Sequence, residues 1–147
     1  MRKADIAYAA GFFDGEGAVS LSLQKGKYLR VEVATSQNTI DVLLWYRRNF
    51  GGSIYGSPER CFQWKIFGEK AIDFLKLIQP YLFVKQVDAV EAVQVWESRD
   101  DLGRMTELIR ARKERYANRR NYAIAERARK GVRRSMDANG DDLRTPE

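Results

Sequence analysis

Two acidic residues lie close together near the start of the chain, in the stretch AYAAGFFDGEGAV. Asp14 and Glu16 follow a run of small and aromatic residues that predicts a helix over 4–13, and Gly15 and Gly17 mark its end. Carboxylates at the C-terminal end of a helix face the negative end of its dipole, which is locally unfavourable. A hard divalent cation such as Mg²⁺, which takes carboxylate and carbonyl oxygens as ligands, would cancel that repulsion. The alternative interpretation is a helix end with two incidental acids.

The sequence contains no histidine among its 147 residues. Histidine general bases, Ser-His-Asp and Cys-His nucleophile systems and histidine-ligated metal sites are therefore excluded from this chain. The single cysteine, Cys61, excludes an internal disulfide framework and a cysteine-built zinc site. An enzyme built from this sequence would use carboxylates, lysine, tyrosine, arginine, amides and a hard metal ion.

The net charge of +6 is unevenly distributed along the chain. Residues 1–97 carry 12 basic and 11 acidic side chains, residues 98–134 carry 13 and 5, and residues 135–147 carry 1 and 4. This division predicts a core domain over 1–97, a basic helical extension over 98–134 and a disordered tail over 135–147. The extension indicates a polyanionic partner, with a solvated basic helix as the alternative.

The chain has no apolar run of the roughly 20 residues that a membrane span needs. Its start is basic and then apolar, as in a signal peptide, but Asp5 and Asp14 interrupt the apolar region. We therefore expect an intracellular protein without a membrane partner, in a compartment that the sequence leaves open.

The elements that must position the two acids begin with a hairpin and a second helix. Residues 18–24 and 28–36 alternate between apolar and polar side chains, and a turn at Gly26 joins them. Thr39 is the expected N-cap of a helix over 40–50.

The same pattern then repeats. Residues 53–57 and 61–67 form a second hairpin around a Pro58 turn, and helices follow over 69–79 and about 86–97. The predicted fold class is α+β, with the core order helix, hairpin, helix, hairpin, helix and further helices at the C-terminus. One four-stranded antiparallel sheet backed by helices is the economical arrangement.

One face of this sheet collects hydrogen-bonding side chains of intermediate length. Such side chains on strands suit the reading of base edges in a DNA major groove. A solvated sheet face, which shows the same alternation, is the alternative. The candidate DNA-binding residues are Ser20, Ser22, Gln24, Tyr28, Arg30, Glu32, Tyr55, Ser57, Arg60, Gln63 and Lys65.

Residues 9–17, AAGFFDGEG, resemble the LAGLIDADG signature of homing endonucleases, with Glu in place of the final Asp. The predicted order of helices and hairpins is also that family's core order. The segment VEVATSQNT places Gln37 where related enzymes carry a catalytic glutamine, and LIQPYLFVKQ places Lys85 where they carry a catalytic lysine. The resemblance covers residues 4 to about 97.

The resemblance implies a homodimer, because members with a single motif are homodimers. Glu16 of each copy, with the carbonyl of Gly15, would bind Mg²⁺, or Mn²⁺ or Ca²⁺ in its place. Asp14 would order the turn or the helix contact rather than bind metal. Two copies of the first helix would pack through Ala7, Tyr8, Ala10, Gly11 and Asp14.

The resemblance also implies a site-specific, metal-dependent DNA endonuclease that leaves short 3′ overhangs, with Glu16, Gln37 and Lys85 as catalytic residues. A strand of about nine residues spans roughly 30 Å, which is about nine base pairs. Two subunits would thus cover roughly twenty base pairs of pseudo-palindromic DNA. The alternatives are a non-cleaving binder, such as an intron RNA maturase or a DNA-binding regulator, and a purely structural dimer module.

One departure from the family pattern concerns a basic residue. Related dimers often carry it a few positions after the catalytic glutamine, where this chain has Ile40 and Asp41. The first basic residues beyond that point are Arg47 and Arg48, so the role is unassigned.

Overall fold

The computed structural model describes the backbone of residues 1–139 and the side chains of residues 1–128. Among the helices described, none combines the length and the apolar composition that crossing a membrane requires. The elements are α1 (Lys3–Glu16), β1 (Gly17–Gln24), β2 (Tyr28–Gln37), α2 (Asp41–Phe50), β3 (Ser53–Tyr55), β4 (Phe62–Phe67), α3 (Gly68–Ile78), a 3-10 turn (Gln79–Tyr81), α4 (Gln86–Glu97) and α5 (Leu102–Asn139).

The four strands form one antiparallel sheet in the order β1-β2-β4-β3. β2 is central, because it pairs with β1 through Val19↔Val33 and with β4 through Val33↔Ile66. The apolar members of the alternating strands share the covered face, so the hairpins predicted from alternation are present. The α+β class and the four-stranded antiparallel sheet are confirmed.

An aromatic cluster joins α2, α3 and the sheet. The rings of Tyr46 and Trp64 lie 4.9 Å apart, and so do those of Phe50 and Phe74. The Trp64 indole donates a hydrogen bond to the Gly51 carbonyl at 2.7 Å. Gly51 ends α2 with a φ of 76°, a left-handed backbone conformation that favours glycine. This cluster fixes the second half of the sheet against its helices.

Helix α1 packs onto the same core through Ala9, Ala10 and Phe13, which are fully buried. The Tyr46 hydroxyl donates a hydrogen bond to the Ala9 carbonyl at 2.5 Å. Burial raises the pKa of Tyr46, with the nearby Tyr8 adding to the shift. Two neighbouring alanines let the helix backbone approach the core closely enough for this bond.

The end of α1 and the cap of α2 differ from the sequence-based expectation. Helix α1 continues to Glu16, so Asp14 lies within its last turns instead of beyond an end at residue 13. The N-cap of α2 is Ile40, and no side chain caps this helix, so the expected Thr39 cap is absent. The last turn of α1 contains Asp14, which is held by backbone N–H groups of residues 83–85, a long-range contact that local residue types do not encode.

Helix α5 contributes its first turns to the core. Met105 and Ile109 are buried and pack with Val95. The compact unit therefore extends from Met1 to Ile109, and a second unit begins at Arg110.

The expected basic extension over 98–134 and tail from residue 135 fall mostly on α5. The basic segment forms one helix, and α5 includes residues 135–139 of the expected tail. Residues 140–147 lie outside the described residues.

Candidate functional site

The junction between α1 and β1 places Glu16 at the edge of the sheet. Glu16 is the last residue of α1, and Gly17 begins β1 without an intervening loop. A Cβ on Gly17 would lie 2.5 Å from the Phe13 carbonyl oxygen and 2.3 Å from its ring, so only glycine fits. The Glu16 side chain is exposed, and no hydrogen bond or ion pair reaches its carboxylate from the described residues. Its oxygens are therefore available to a ligand.

The Asp14 carboxylate, in contrast, is fully engaged. It accepts backbone N–H bonds from Phe83 at 2.7 Å, Val84 at 3.1 Å and Lys85 at 2.9 Å. Partial burial raises the pKa of Asp14, but these three bonds and the Lys85 charge outweigh it, and the pKa lies below its ordinary value. Asp14 thus ties the segment before α4 to the end of α1, as a structural residue.

Lys85 lies beside the same helix end. Its backbone N–H binds the Asp14 carboxylate, and its ammonium donates a hydrogen bond to the Asp14 carbonyl. The side chain is half-buried, since α1 covers part of it. A positive charge is therefore held at the end of α1 by two contacts with a single residue.

Gln37 reaches this end of the sheet through strand register. Gly17 pairs with Thr35, so the last residue of β2 lies just beyond the α1–β1 junction. The Gln37 side-chain carbonyl accepts the Asn38 backbone N–H at 2.9 Å, which fixes the amide group. The structure thus places Lys85 in contact with the end of α1, and Gln37 at the end of the strand that pairs with β1.

The metal-binding expectation can be tested against the available donors. No group of three or more acidic, cysteine or histidine side chains suited to a metal ion occurs among the described residues. Asp14 is committed to backbone N–H groups, whereas Glu16 is free. Gly15 lies in the last turn of α1, where helix carbonyls lack partners further along the helix. Among the described residues, the Glu16 carboxylate and the Gly15 carbonyl are therefore the oxygen donors that this end of α1 offers to a cation.

The exposed side of α1 carries small residues. Ala7 and Gly11 are exposed, and Cβ atoms on Gly11 and Gly15 would meet no atom within 4 Å. Tyr8 is 54% exposed and packs edge-on against Trp45 at 5.3 Å.

Two residues expected at a dimer contact have other partners. Ala10 is fully buried in the chain's own core, so it is not on the exposed side of α1. Asp14 is occupied by the 83–85 segment. The helical period places Ala10 between Ala9 and Phe13 on the buried side, which its small size alone did not reveal.

The uncovered sheet face holds most of the expected DNA-binding residues. Cross-strand pairs Ser20↔Glu32, Ser22↔Arg30 and Gln24↔Tyr28 lie on it, and Lys65 and Gln63 of β4 continue it. Tyr55 is at the end of β3, next to Gln63. Ser57 and Arg60 lie outside the strands, in the β3–β4 connection, where the Arg60 N–H binds the Ser57 carbonyl at 3.0 Å.

Sequence reasoning missed Phe67 on this face. Phe67 lies directly opposite Glu32 and is 39% exposed. The alternation of Cys61, Gln63 and Lys65 extends to Phe67, so the signal was present in the sequence.

The structure assigns no residue to the basic position that related dimers often carry after the catalytic glutamine. Ile40 is half-buried and Asp41 begins α2. Arg47 and Arg48 lie in the last turn of α2 and are exposed.

The second unit carries a basic helix. Over residues 110–128 the sequence has seven basic and two acidic side chains. The guanidinium groups of Arg112 and Arg115 lie over the Tyr116 ring at 4.8 and 4.7 Å. Arg119 and Arg120 are exposed.

Comparison with solved structures shows what this fold resembles. The chain is similar to homing endonuclease I-CvuI in complex with its target in the presence of Ca (19% identity, 71% of this chain and 75% of that chain, TM-score 0.62). It is also similar to the archaeal intron-encoded homing endonuclease I-Vdi141I complexed with DNA (19% identity, 71% of this chain and 79% of that chain, TM-score 0.59). A third similar structure is that of the LAGLIDADG homing endonuclease I-GzeII in complex with a DNA target (20% identity, 65% of this chain and 36% of that chain, TM-score 0.54). No protein-family model and no curated protein matches the sequence.

Proposed function

We propose that this chain, which has the fold of LAGLIDADG homing endonucleases, is a site-specific double-strand DNA endonuclease. The observation that supports the proposal is that Lys85 is bonded to the end of α1 that carries Glu16, while Gln37 ends the strand that pairs with β1, beside a sheet face of polar side chains. A non-cleaving scaffold has no need of all three of these residues. The target would be a pseudo-palindromic sequence of roughly twenty base pairs, cut to leave short 3′ overhangs.

The neighbouring structures support this substrate class. I-CvuI and I-Vdi141I were each solved with DNA, and I-CvuI in the presence of Ca or Mg. In the Mg complex with another endonuclease's target, the DNA was not cleaved. A test of cleavage must therefore vary the DNA sequence as well as supply the metal ion.

The active form would be a homodimer. The free carboxylate of Glu16 at the end of α1 completes a cation site only if a second carboxylate approaches it. The small exposed residues Ala7, Gly11 and Gly15 would let a second α1 helix approach closely, with Tyr8 at the edge of the contact. Phe83, 93% exposed on the segment that Asp14 holds, adds apolar surface at this end of the helix.

Glu16 and the Gly15 carbonyl would hold Mg²⁺, or Mn²⁺ or Ca²⁺ in its place. A cation held there would supply positive charge at the scissile phosphate and would lower the pKa of a nearby water molecule. The Lys85 ammonium would lie near the scissile phosphate and balance its negative charge. The Gln37 amide, anchored through its carbonyl, keeps its NH₂ group to orient a water molecule. No histidine is needed for these roles.

Cleavage selection on a randomised DNA library with Mg²⁺ tests the proposal. Wild type should cut a subset of sequences, and Glu16→Gln should lose cleavage while keeping its thermal stability, because no described residue bonds to the Glu16 carboxylate. Glu69→Gln, an exposed acid in α3, is the matched control and should cut normally. No cutting by wild type, or equal cutting by Glu16→Gln, would rule the nuclease out. Intron RNA binding together with absent cleavage would support a maturase instead.

Sedimentation tests the homodimer. Wild type should sediment as a dimer with DNA, and Gly11→Arg should be monomeric and inactive, because its side chain would fill the exposed side of α1. Leu77→Arg, on the exposed side of α3, is the control and should remain dimeric. A monomeric wild type that cleaves would contradict the shared site.

A further inference from the structure

One exposed arginine on the sheet face is held by its neighbours. Arg30 Nη2 donates to a Glu32 carboxylate oxygen at 3.2 Å, and the Lys65 ammonium binds the other oxygen at 3.0 Å. The Arg30 guanidinium also lies over the Phe67 ring, 5.0 Å from its centroid. These four residues, called here the Arg30 cluster, all lie on the uncovered face of β2 and β4.

The members of the Arg30 cluster differ in exposure. The Arg30 side chain is 50% exposed, whereas those of Glu32 and Lys65 are 21% and 26% exposed. Glu32 and Lys65 therefore form the inner layer, and Arg30 presents its guanidinium outward. Glu32 accepts from one terminal nitrogen, and no hydrogen bond from the described residues reaches the other, whose two hydrogens can meet a ligand.

We propose that Arg30 reads one guanine in each half of the DNA target, and that Glu32 and Phe67 are positioning residues for its guanidinium. The inference rests on the proposed function, since it assigns a base to the sheet face of that endonuclease. A planar guanidinium forms two parallel hydrogen bonds to guanine O6 and N7 in the major groove. Stacking on Phe67 and the bond to Glu32 fix the plane of this fork before DNA arrives, which lowers the entropy lost on binding.

A phosphate contact is disfavoured by the same geometry. The Glu32 carboxylate lies within hydrogen-bond distance of Arg30, so a phosphate bound there would meet a like charge. A guanine edge carries no net charge and presents only acceptors to the guanidinium. The two cations exceed the one acid in the Arg30 cluster, so the cluster keeps a net attraction for DNA.

Binding-site selection in Ca²⁺, from DNA with both half-sites randomised, tests the assignment apart from cleavage. Wild type should select guanine at one symmetric position by about tenfold or more. Arg30→Lys keeps the positive charge but loses the two parallel donors of the guanidinium. It should therefore lose the guanine preference, while the base preferences at the other positions of the site stay unchanged. Phe67→Leu should weaken the preference at the same position only. Arg48→Lys, an exposed arginine in α2 away from the sheet, should select the wild-type site.

Three results would overturn the inference. One is an Arg30→Lys selection identical to wild type. Another is an equal loss of affinity for every sequence with a shallower salt dependence, which indicates a phosphate contact. The third is a wild type that selects no sequence. A selected site that is bound but never cut in Mg²⁺ would refute the nuclease, while the guanine preference would still be decided by the selection.

Discussion

Asp14 and Lys85, 71 residues apart in sequence, bind each other at two points. The Lys85 backbone N–H donates to the Asp14 carboxylate at 2.9 Å, and the Lys85 ammonium donates to the Asp14 backbone carbonyl. One acid at the end of α1 thus both places the segment that carries the lysine and aims the lysine side chain. The other acid of the pair, Glu16, is exposed, and its carboxylate has no bond to another residue in the part of the chain that the structure describes.

Asp14→Asn should weaken both folding and cleavage. The amide loses the charge that strengthens three backbone hydrogen bonds, so the free energy of unfolding should fall by about 1–3 kcal/mol. Cleavage should fall even at temperatures where the variant is folded, with DNA affinity largely kept, because Lys85 loses its support. Denaturant unfolding and single-turnover cleavage measure the two effects. Asp73→Asn, an exposed acid in α3, should change neither, and full activity of folded Asp14→Asn would contradict a positioning role.

Part of the free energy of unfolding should depend on the ionisation of Asp14 and therefore on pH. Its pKa is lowered in the folded state from an ordinary value of 3.8. The stabilisation from Asp14 is therefore complete above that value and is lost as the pH falls through the lower, folded-state pKa. Unfolding free energies from pH 6 to pH 2 should show a gap between wild type and Asp14→Asn that closes on the acid side. A gap of constant size across this range would show that the carboxylate charge is not responsible.

Lys85→Met should separate cleavage from binding. Removing a charge placed to stabilise the reacting phosphate should slow cleavage by about 10²-fold or more. DNA affinity should change little, because the sheet face is untouched. Lys76→Met, an exposed lysine in α3 with a 3.6 Å ion pair to Glu97, is the control. Cleavage by Lys85→Met at the wild-type rate would exclude Lys85 from the mechanism.

Gly17→Ala should destabilise the fold. Its Cβ would collide with the Phe13 carbonyl and ring, and overpacking of this kind costs about 1–3 kcal/mol. Gly11→Ala is the matched substitution in open space, and it should leave the isolated chain as stable or slightly more so, because alanine favours helix. Thermal unfolding at low protein concentration compares the two. Equal melting temperatures for both variants would contradict the close approach at Gly17.

The basic helix of the second unit should contribute phosphate contacts. Replacing exposed Arg119 and Arg120 by Gln should make the dependence of log affinity on log salt shallower by about two, with sequence preference unchanged. Asn118→Ala, on the same helix, should leave the salt dependence as it is. Fluorescence anisotropy across a salt series provides the measurement, and an unchanged slope for the double variant would show that this helix is solvated instead.

The strands and their outward residues could be predicted because alternation has a period of two and is encoded locally. Alternation predicted the covered face for the apolar residues Val19, Leu21, Val31 and Val33. It predicted the uncovered face for Ser22 and Arg30. Helix ends were less predictable: Asp14 and Gly15 fall inside α1, where Asp14 is held by backbone N–H groups of residues 83–85, a long-range contact that local stop signals do not encode.

By itself, the sequence determined the fold class, the uneven charge and the absence of histidine chemistry, and it placed Glu16, Gln37 and Lys85 in three separate segments. Only the tertiary structure decided that Lys85 contacts the end of α1, that Ala10 is buried, and that Arg30 stacks on Phe67. The physical reason is the distance in sequence over which each interaction acts. Periodicity and composition act between neighbours in sequence, whereas the Asp14–Lys85 bonds and the Gly17–Thr35 register form only when distant segments pack together. The different roles of Asp14 and Glu16 follow from that packing, since it occupies one carboxylate and leaves the other free.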